Sequence, residues 1–307
     1  MSNNFATDCK ALEDQIKALE AAERRVQQNL QHAAGEDKQL FLEEIRELKS
    51  QILEKQTDFN AKRCHTVTMK WTVANAQREA LVFPPATAGK HPLIFAWHGH
   101  DGSPEHAAEQ MHFQTVWRDA IVVYPLGLPT IGDQDKQKAP GWQKELEPPN
   151  RDLLFFDAML TTLREKYSVD DRRIYTAGFS NGTGFCYLLW VERGQTLAAI
   201  GAVSGVMMRS ERNKPAHPRA LIYIAGSKGL APGAVDDTVQ RAQEINHAPG
   251  AGQPCAVPNG APDLTTCKLY QSTSQTPIKH ITHPLGHWYP PWAPAEIVEF
   301  FKRHERP

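Results

Sequence analysis

The chain has 307 residues, 41% hydrophobic and 22% charged, enough to bury the core of one large domain, which excludes disorder throughout. A net charge of −1 leaves no basic excess for a general nucleic-acid or anionic-membrane binder. No apolar run reaches the roughly 18 residues of a membrane-spanning helix, and five cysteines are too few for a disulfide-held scaffold.

The first residues, Met1–Asp8, have neither a basic nor an apolar region and do not read as a leader peptide. Residues 7–62 contain no proline and one glycine, and are rich in Glu, Lys, Gln, Ala and Leu. Leu12, Ile16, Leu19, Val26 and Leu30 recur in helical steps, and Phe41, Ile45, Leu48 and Ile52 resume them after Gly35. This predicts two amphipathic helices in an antiparallel, coiled-coil-like hairpin over residues 1–64. Its apolar stripe suits packing or homo-oligomerisation, and it has no convergent polar groups for chemistry.

Residues 65–307 have a different texture. Apolar strands are expected at 80–83, 93–97, 120–124, 173–177, 199–204, 221–225 and 278–282. Helices are expected at 153–167, 182–192, 236–246 and 295–304. Continuous apolar strands alternating with helices imply an α/β domain: a mostly parallel sheet covered on both faces. The Pro-, Gly- and Ser-rich stretch 247–266 reads as a loop insertion.

Within this domain Gly178-Phe-Ser180-Asn-Gly182 matches G-x-S-x-G, between an apolar strand and an apolar helix. Such a turn strains the serine backbone and exposes its Oγ, and the helix N-terminus offers amides to a developing oxyanion. Ser180 is therefore the candidate nucleophile. The strand 93–97 runs into His98-Gly99-His100-Asp101-Gly102, where the second oxyanion amide of a hydrolase elbow would lie. The amides of His100 and Asn181 are the expected donors, with His98 bracing the loop. The base should come late in the chain. Among 13 histidines, His287 in Gly286-His287-Trp288 follows the last strand and precedes the last helix. His280 and His283 lie in or beside that strand and suit the role less well.

These segments resemble a known family. Trp97-His-Gly-His100, Tyr124-Pro-Leu-Gly127, Gly141-Trp142, Asp152 to Ala158, Asp170-Asp-Arg-Arg-Ile-Tyr through Gly182, and Gly286-His287-Trp288 are similar to the polyhydroxybutyrate depolymerase/feruloyl esterase group, carbohydrate esterase family 1-like α/β-hydrolases. The resemblance covers about three quarters of the chain and leaves out the hairpin. It implies a secreted or periplasmic serine esterase acting through an acyl-enzyme, on small-molecule or polysaccharide-linked esters, without cofactor or metal. It also implies a Cys255–Cys267 disulfide, which would order the loop between them; Cys9, Cys64 and Cys186 are expected to stay reduced. Trp97, Trp142 and Trp288 are expected to line an acyl pocket. Asp133 and Asp135 are expected to be solvated.

There is one departure. The family places an acid after the strand 221–225, and here Ala225-Gly-Ser-Lys-Gly229 puts glycine there. Asp236 is the provisional triad acid, with Asp237, Glu211 or no acid as alternatives. The missing acid also motivates a second reading, a catalytically weakened hydrolase-fold binding module.

Overall fold

The helical spacing of the first segment yields two helices, α1 (Phe5–Leu30) and α2 (Gly35–Ala61). They pack against each other through Leu12, Val26, Ile45 and Ile52, all buried, and Glu23 faces Lys49 at 3.7 Å. In this computed structural model the described residues are 5–31, 33, 35–61, 66–132, 136–231 and 233–306, with backbone only at 5–10, 36 and 56–61. Cys64, Asp133 and Asp135, and the side chain of Cys9, lie outside the described residues. The chain divides into two compact units, Met1–Thr66 and Val67–Pro307.

The second unit opens with the strands β1 (Val67–Val73), β2 (Ala76–Phe83) and β3 (His91–Trp97) and the short helices α3 (Pro104–Met111) and α4 (Phe113–Val116). Then come β4 (Ile121–Pro125), a small hairpin of β5 (Leu128–Ile131) and β6 (Lys138–Gly141), and α5 (Arg151–Lys166). The centre is β7 (Val169–Phe179), α6 (Asn181–Arg193), β8 (Ala199–Val203), α7 (Arg209–Arg212), β9 (Ala220–Gly226) and α8 (Ala234–Asn246). The chain closes with β10 (Gln253–Pro254), β11 (Thr266–Tyr270), β12 (Ile278–His283) and α9 (Ala293–Phe301).

Ten strands form one sheet in the order β1-β2-β4-β3-β7-β8-β9-β12-β11-β10. The six from β4 to β12 are parallel, and the pairs at both edges are antiparallel. The central strands β3, β4, β8 and β9 are buried along their whole length, as a sheet covered on both faces requires. One face packs on α5, α6 and α8 through Phe155, Phe156, Phe185, Leu188 and Val239. The other meets α9, where Phe301 stacks on Tyr175 at 4.5 Å and approaches Gly201.

Five strands, β1, β5, β6, β10 and β11, lie outside the sequence expectation. The segment 67–73 forms the edge strand β1, and the stretch expected to be an unstructured insertion holds β10 and the start of β11. There Cys255 and Cys267 form a disulfide, with the Cys255 amide donating to the Cys267 carbonyl. Cys186 is a free, buried thiol pushed up to about 12 by burial. Opening the disulfide is expected to cost about 3 kcal/mol, because the 12-residue separation leaves a loop that few other contacts order. Urea unfolding with and without reductant measures this; equal midpoints would contradict it.

Candidate active site

The site is built at the C-terminal edge of the sheet. Strand β7 ends at Phe179, and α6 begins at Asn181. Ser180 between them has φ 55° and ψ −115°, a strained conformation costing roughly 1–3 kcal/mol. The crossing is tight. A Cβ on Gly182 would lie 2.2 Å from the Trp97 carbonyl oxygen, and one on Gly178 would lie 2.4 Å from the Gly182 carbonyl carbon. Only glycine fits at either place, which is the physical content of the G-x-S-x-G pattern.

Strand β12 delivers the base. His287 Nε2 lies 2.8 Å from Ser180 Oγ, and its ring packs on Phe179 with centroids 5.1 Å apart. Burial against these neighbours lowers the imidazole below its ordinary 6.5, and no charged group offsets this. Among the described residues no carboxylate hydrogen-bonds the second ring nitrogen.

A cleft opens over this pair. His100, Asn181, Lys144, Ser204, Val206, Met208 and Leu230 line it with Ser180 and His287. The loop 98–101 that carries His100 is clasped by the β5–β6 hairpin. His100 Nε2 donates to the Thr130 carbonyl at 2.9 Å, and the Asp101 amide donates to the Pro140 carbonyl. His98 sits beneath as a brace. Its Nδ1–H donates to the Gly99 carbonyl, its Nε2 accepts the Gly127 amide, and burial pushes it down to about 4, so it is neutral.

The Asn181 side chain is fixed from the other side. Its Oδ1 accepts the Trp142 amide at 2.7 Å, and its Nδ2 donates to the Trp142 carbonyl at 3.1 Å. Trp142 is held in turn by Asp152. One Asp152 oxygen accepts the Gln143 amide and the other the Arg78 guanidinium, both at 2.8 Å. Arg78 and Asp152 are a buried ion pair, with the guanidinium over the Phe155 ring. Nothing in the motifs pointed to Arg78. The signal was its place, on the inward side of β2 with Ala80 and Val82.

A family model, acetyl xylan esterase (AXE1), matches residues 34–189, half of the chain. The chain belongs to the acetyl xylan esterase family. The match begins ahead of α2, so the family likeness includes the second hairpin helix, contrary to the expectation from resemblance. It contains Ser180 and stops before His287. A bifunctional acetylxylan esterase/xylanase from Neocallimastix patriciarum is 26% identical over 155 residues, 50% of this chain. The chain spans about a fifth of that relative's length (21%). Two solved structures share the fold. A ferulic acid esterase has a TM-score of 0.54 at 16% identity, covering 78% of this chain and 97% of its own. The acetyl xylan esterase from Aspergillus awamori has a TM-score of 0.53 at 14% identity, covering 77% and 99%. The fold is that of the α/β-hydrolases.

Within this family frame two expectations need correction. Trp97 and Trp142 are 0% exposed and are not among the described residues that line the cleft over Ser180 and His287. They form the floor under the site, Trp97 donating to Thr176 Oγ1 and Trp142 to the His98 carbonyl. Trp288 is half-buried against His283, again off the cleft. The second correction concerns the acid. Asp236 lies in the first turn of α8 and shares a separate polar cleft with Lys268, Tyr270 and His280. Among the described residues it makes no hydrogen bond to His287, whose ring nitrogen meets Ser180 Oγ. Asp237 pairs with Arg212 at 2.6 Å, and buried Glu211 takes Lys214 at 2.9 Å. Gly229 does stand against the backbone of the turn: a Cβ there would lie 2.5 Å from the His287 main-chain nitrogen.

Among the described residues no carboxylate is bonded to His287, and the sign of the expected pH dependence follows. A lowered imidazole stays unprotonated further into acid, so the acid-side inflection of kcat/KM should lie below 6.5. A pH profile on p-nitrophenyl acetate checks this; an acid-side inflection above 6.5 would contradict it.

Proposed function

We propose that the chain is a serine carboxylic-ester hydrolase acting through an acyl-enzyme. The observation that carries this reading is the 2.8 Å contact between Ser180 Oγ and His287 Nε2 at a strained strand-to-helix elbow. Ser180 Oγ attacks the ester carbonyl carbon as His287 Nε2 takes its proton. The amides of His100 and Asn181 receive the oxyanion, and the N-terminus of α6 adds its dipole. As the tetrahedral intermediate collapses, the carbon–oxygen bond to the alcohol breaks, and His287 gives its proton to the departing alkoxide. Water, deprotonated by His287, then attacks the acyl carbon, and the proton returns to Ser180 Oγ as the acid leaves.

The relatives' names direct the substrate reading to acetyl or feruloyl esters on plant polysaccharide, with hydroxyalkanoate oligomers as a further class. No Trp, Tyr or Phe is among the described residues lining the cleft, which supports a small acyl group over an aromatic one. The disulfide supports an oxidising compartment, and so export. The other reading, a weakened binding module, is disfavoured because the nucleophile and base remain in contact. Comparing hydrolysis of acetylated xylan, methyl ferulate and hydroxybutyrate oligomers tests the assignment. Acetate release should exceed the others, and no release from any ester would overturn the esterase reading.

A further inference from the structure

The hydroxyl of Ser204 touches the turn that carries the base, at a point where the chain is strained. Ser204 follows β8, is 1% exposed, and has φ 50°, in the left-handed region that a serine adopts at a cost. Its Oγ donates to the Trp288 carbonyl oxygen at 2.9 Å. The residue also borders the cleft that holds Ser180 and His287.

We propose that Ser204 is a positioning residue for the general base, fixing the His287–Trp288 turn over the nucleophile in place of an orienting carboxylate. This rests on the esterase reading of Ser180 and His287. Three observations carry it. First, the base has no other orienter: among the described residues nothing accepts a hydrogen bond from Nδ1 of His287. Second, among the described residues the upstream side of the turn is tied by two backbone hydrogen bonds. The Ser227 amide donates to the His283 carbonyl at 2.9 Å, and the Lys228 amide to the Leu285 carbonyl at 3.4 Å. Ser204 supplies the tie on the downstream side, one residue past the base. Third, Ser204 is joined rigidly to the nucleophile. The Ser180 amide donates to the Val203 carbonyl, and the Ser204 amide donates to the Ile224 carbonyl, both at 2.9 Å. A short run of bonds thus links Ser180, Val203, Ser204 and Trp288, and closes through His287 onto Ser180 Oγ. Movement of the turn relative to the elbow has to break that ring.

A buried serine that only satisfies a stray carbonyl would have the same bond and a different phenotype. Its loss would lower stability and leave the rate constants of the folded enzyme alone. The positioning role places the loss in kcat, because a base displaced by about 1 Å still permits ester binding while costing about 10²-fold in rate.

The test uses Ser204→Gly and Ser204→Ala in the full chain. Glycine tolerates the positive φ without the hydroxyl and so keeps the fold even if alanine does not. Both are expected to lose roughly 10–100-fold in kcat on p-nitrophenyl acetate with KM within about twofold, and to react more slowly with a fluorophosphonate by the same factor. Ser204→Cys, which retains a weak donor, should recover part of the rate. The His287 titration, followed by proton NMR, should move back toward 6.5 in Ser204→Gly as the freed ring gains solvent. A Ser204→Gly protein with kcat within twofold of the parent and an unmoved titration would overturn the proposal. So would a loss confined to KM, which would make Ser204 a substrate contact. The titration is read whether or not any ester is hydrolysed. An inactive parent with a shifted titration in Ser204→Gly would sink the esterase reading and leave the positioning intact.

Discussion

Replacing Ser180 by alanine is expected to reduce ester turnover by about 10⁴–10⁶-fold, with the fold retained. The hydroxyl makes no capping bond to the start of α6, and its hydrogen bond is to His287. Alanine therefore removes the nucleophile and almost nothing structural. The amide of residue 180 still donates to Val203, and the tight approach of Gly182 to Trp97 is untouched. A fluorophosphonate should label Ser180 in the parent and fail to label the variant. Turnover in the variant within tenfold of the parent, or labelling at another serine, would remove Ser180 from the mechanism.

The second large effect is at Gly229, where relatives of this type place the orienting acid. Aspartate at this position would supply the missing carboxylate, but the packing around Gly229 leaves no room for its Cβ. A Cβ at 229 would stand 2.5 Å from the His287 nitrogen, 2.6 Å from the Gly286 carbonyl carbon and 2.9 Å from the His287 Cα. All three are backbone atoms and cannot swing aside, so the turn itself must move, taking the imidazole off Ser180. Gly229→Asp should lose at least about a hundredfold in kcat, and Gly229→Ala, with the same Cβ and no charge, should lose as much. If aspartate raised kcat while alanine lowered it, the turn would be more yielding than its packing indicates.

Much of this was legible because it follows from short-range chemistry. Apolar runs flanked by helical periodicity gave the central strands, since a sheet buried on both faces leaves no alternation to misread. The elbow was legible because only a strand-to-helix crossing needs glycine on both sides of one serine. His287 could be singled out by its place after the last parallel strand. What stayed hidden depends on which way a side chain faces once the sheet exists. Trp97 ends a strand pointing at the cleft, yet its ring turns into the floor among Trp142 and Phe185. Arg78 looked like an ordinary charge in an edge segment until the inward side of β2 brought it to Asp152. Ser204 is one of many serines, and its role depends on a carbonyl 84 residues away. Asp236 was named by counting along the chain, whereas α8 turns it toward His280 and away from the base.

The order of strands across the sheet also separates the two members of the Ser180–His287 pair along the chain. The elbow and the oxyanion loop lie on neighbouring strands, β7 and β3, and meet where Gly182 approaches Trp97. The base arrives about a hundred residues later, on β12, which docks beside β9 at the far side of β8. A chain cut before residue 287 thus keeps the elbow serine and loses its hydrogen-bond partner. Under the mechanism proposed above, such a chain retains the nucleophile with nothing to take its proton.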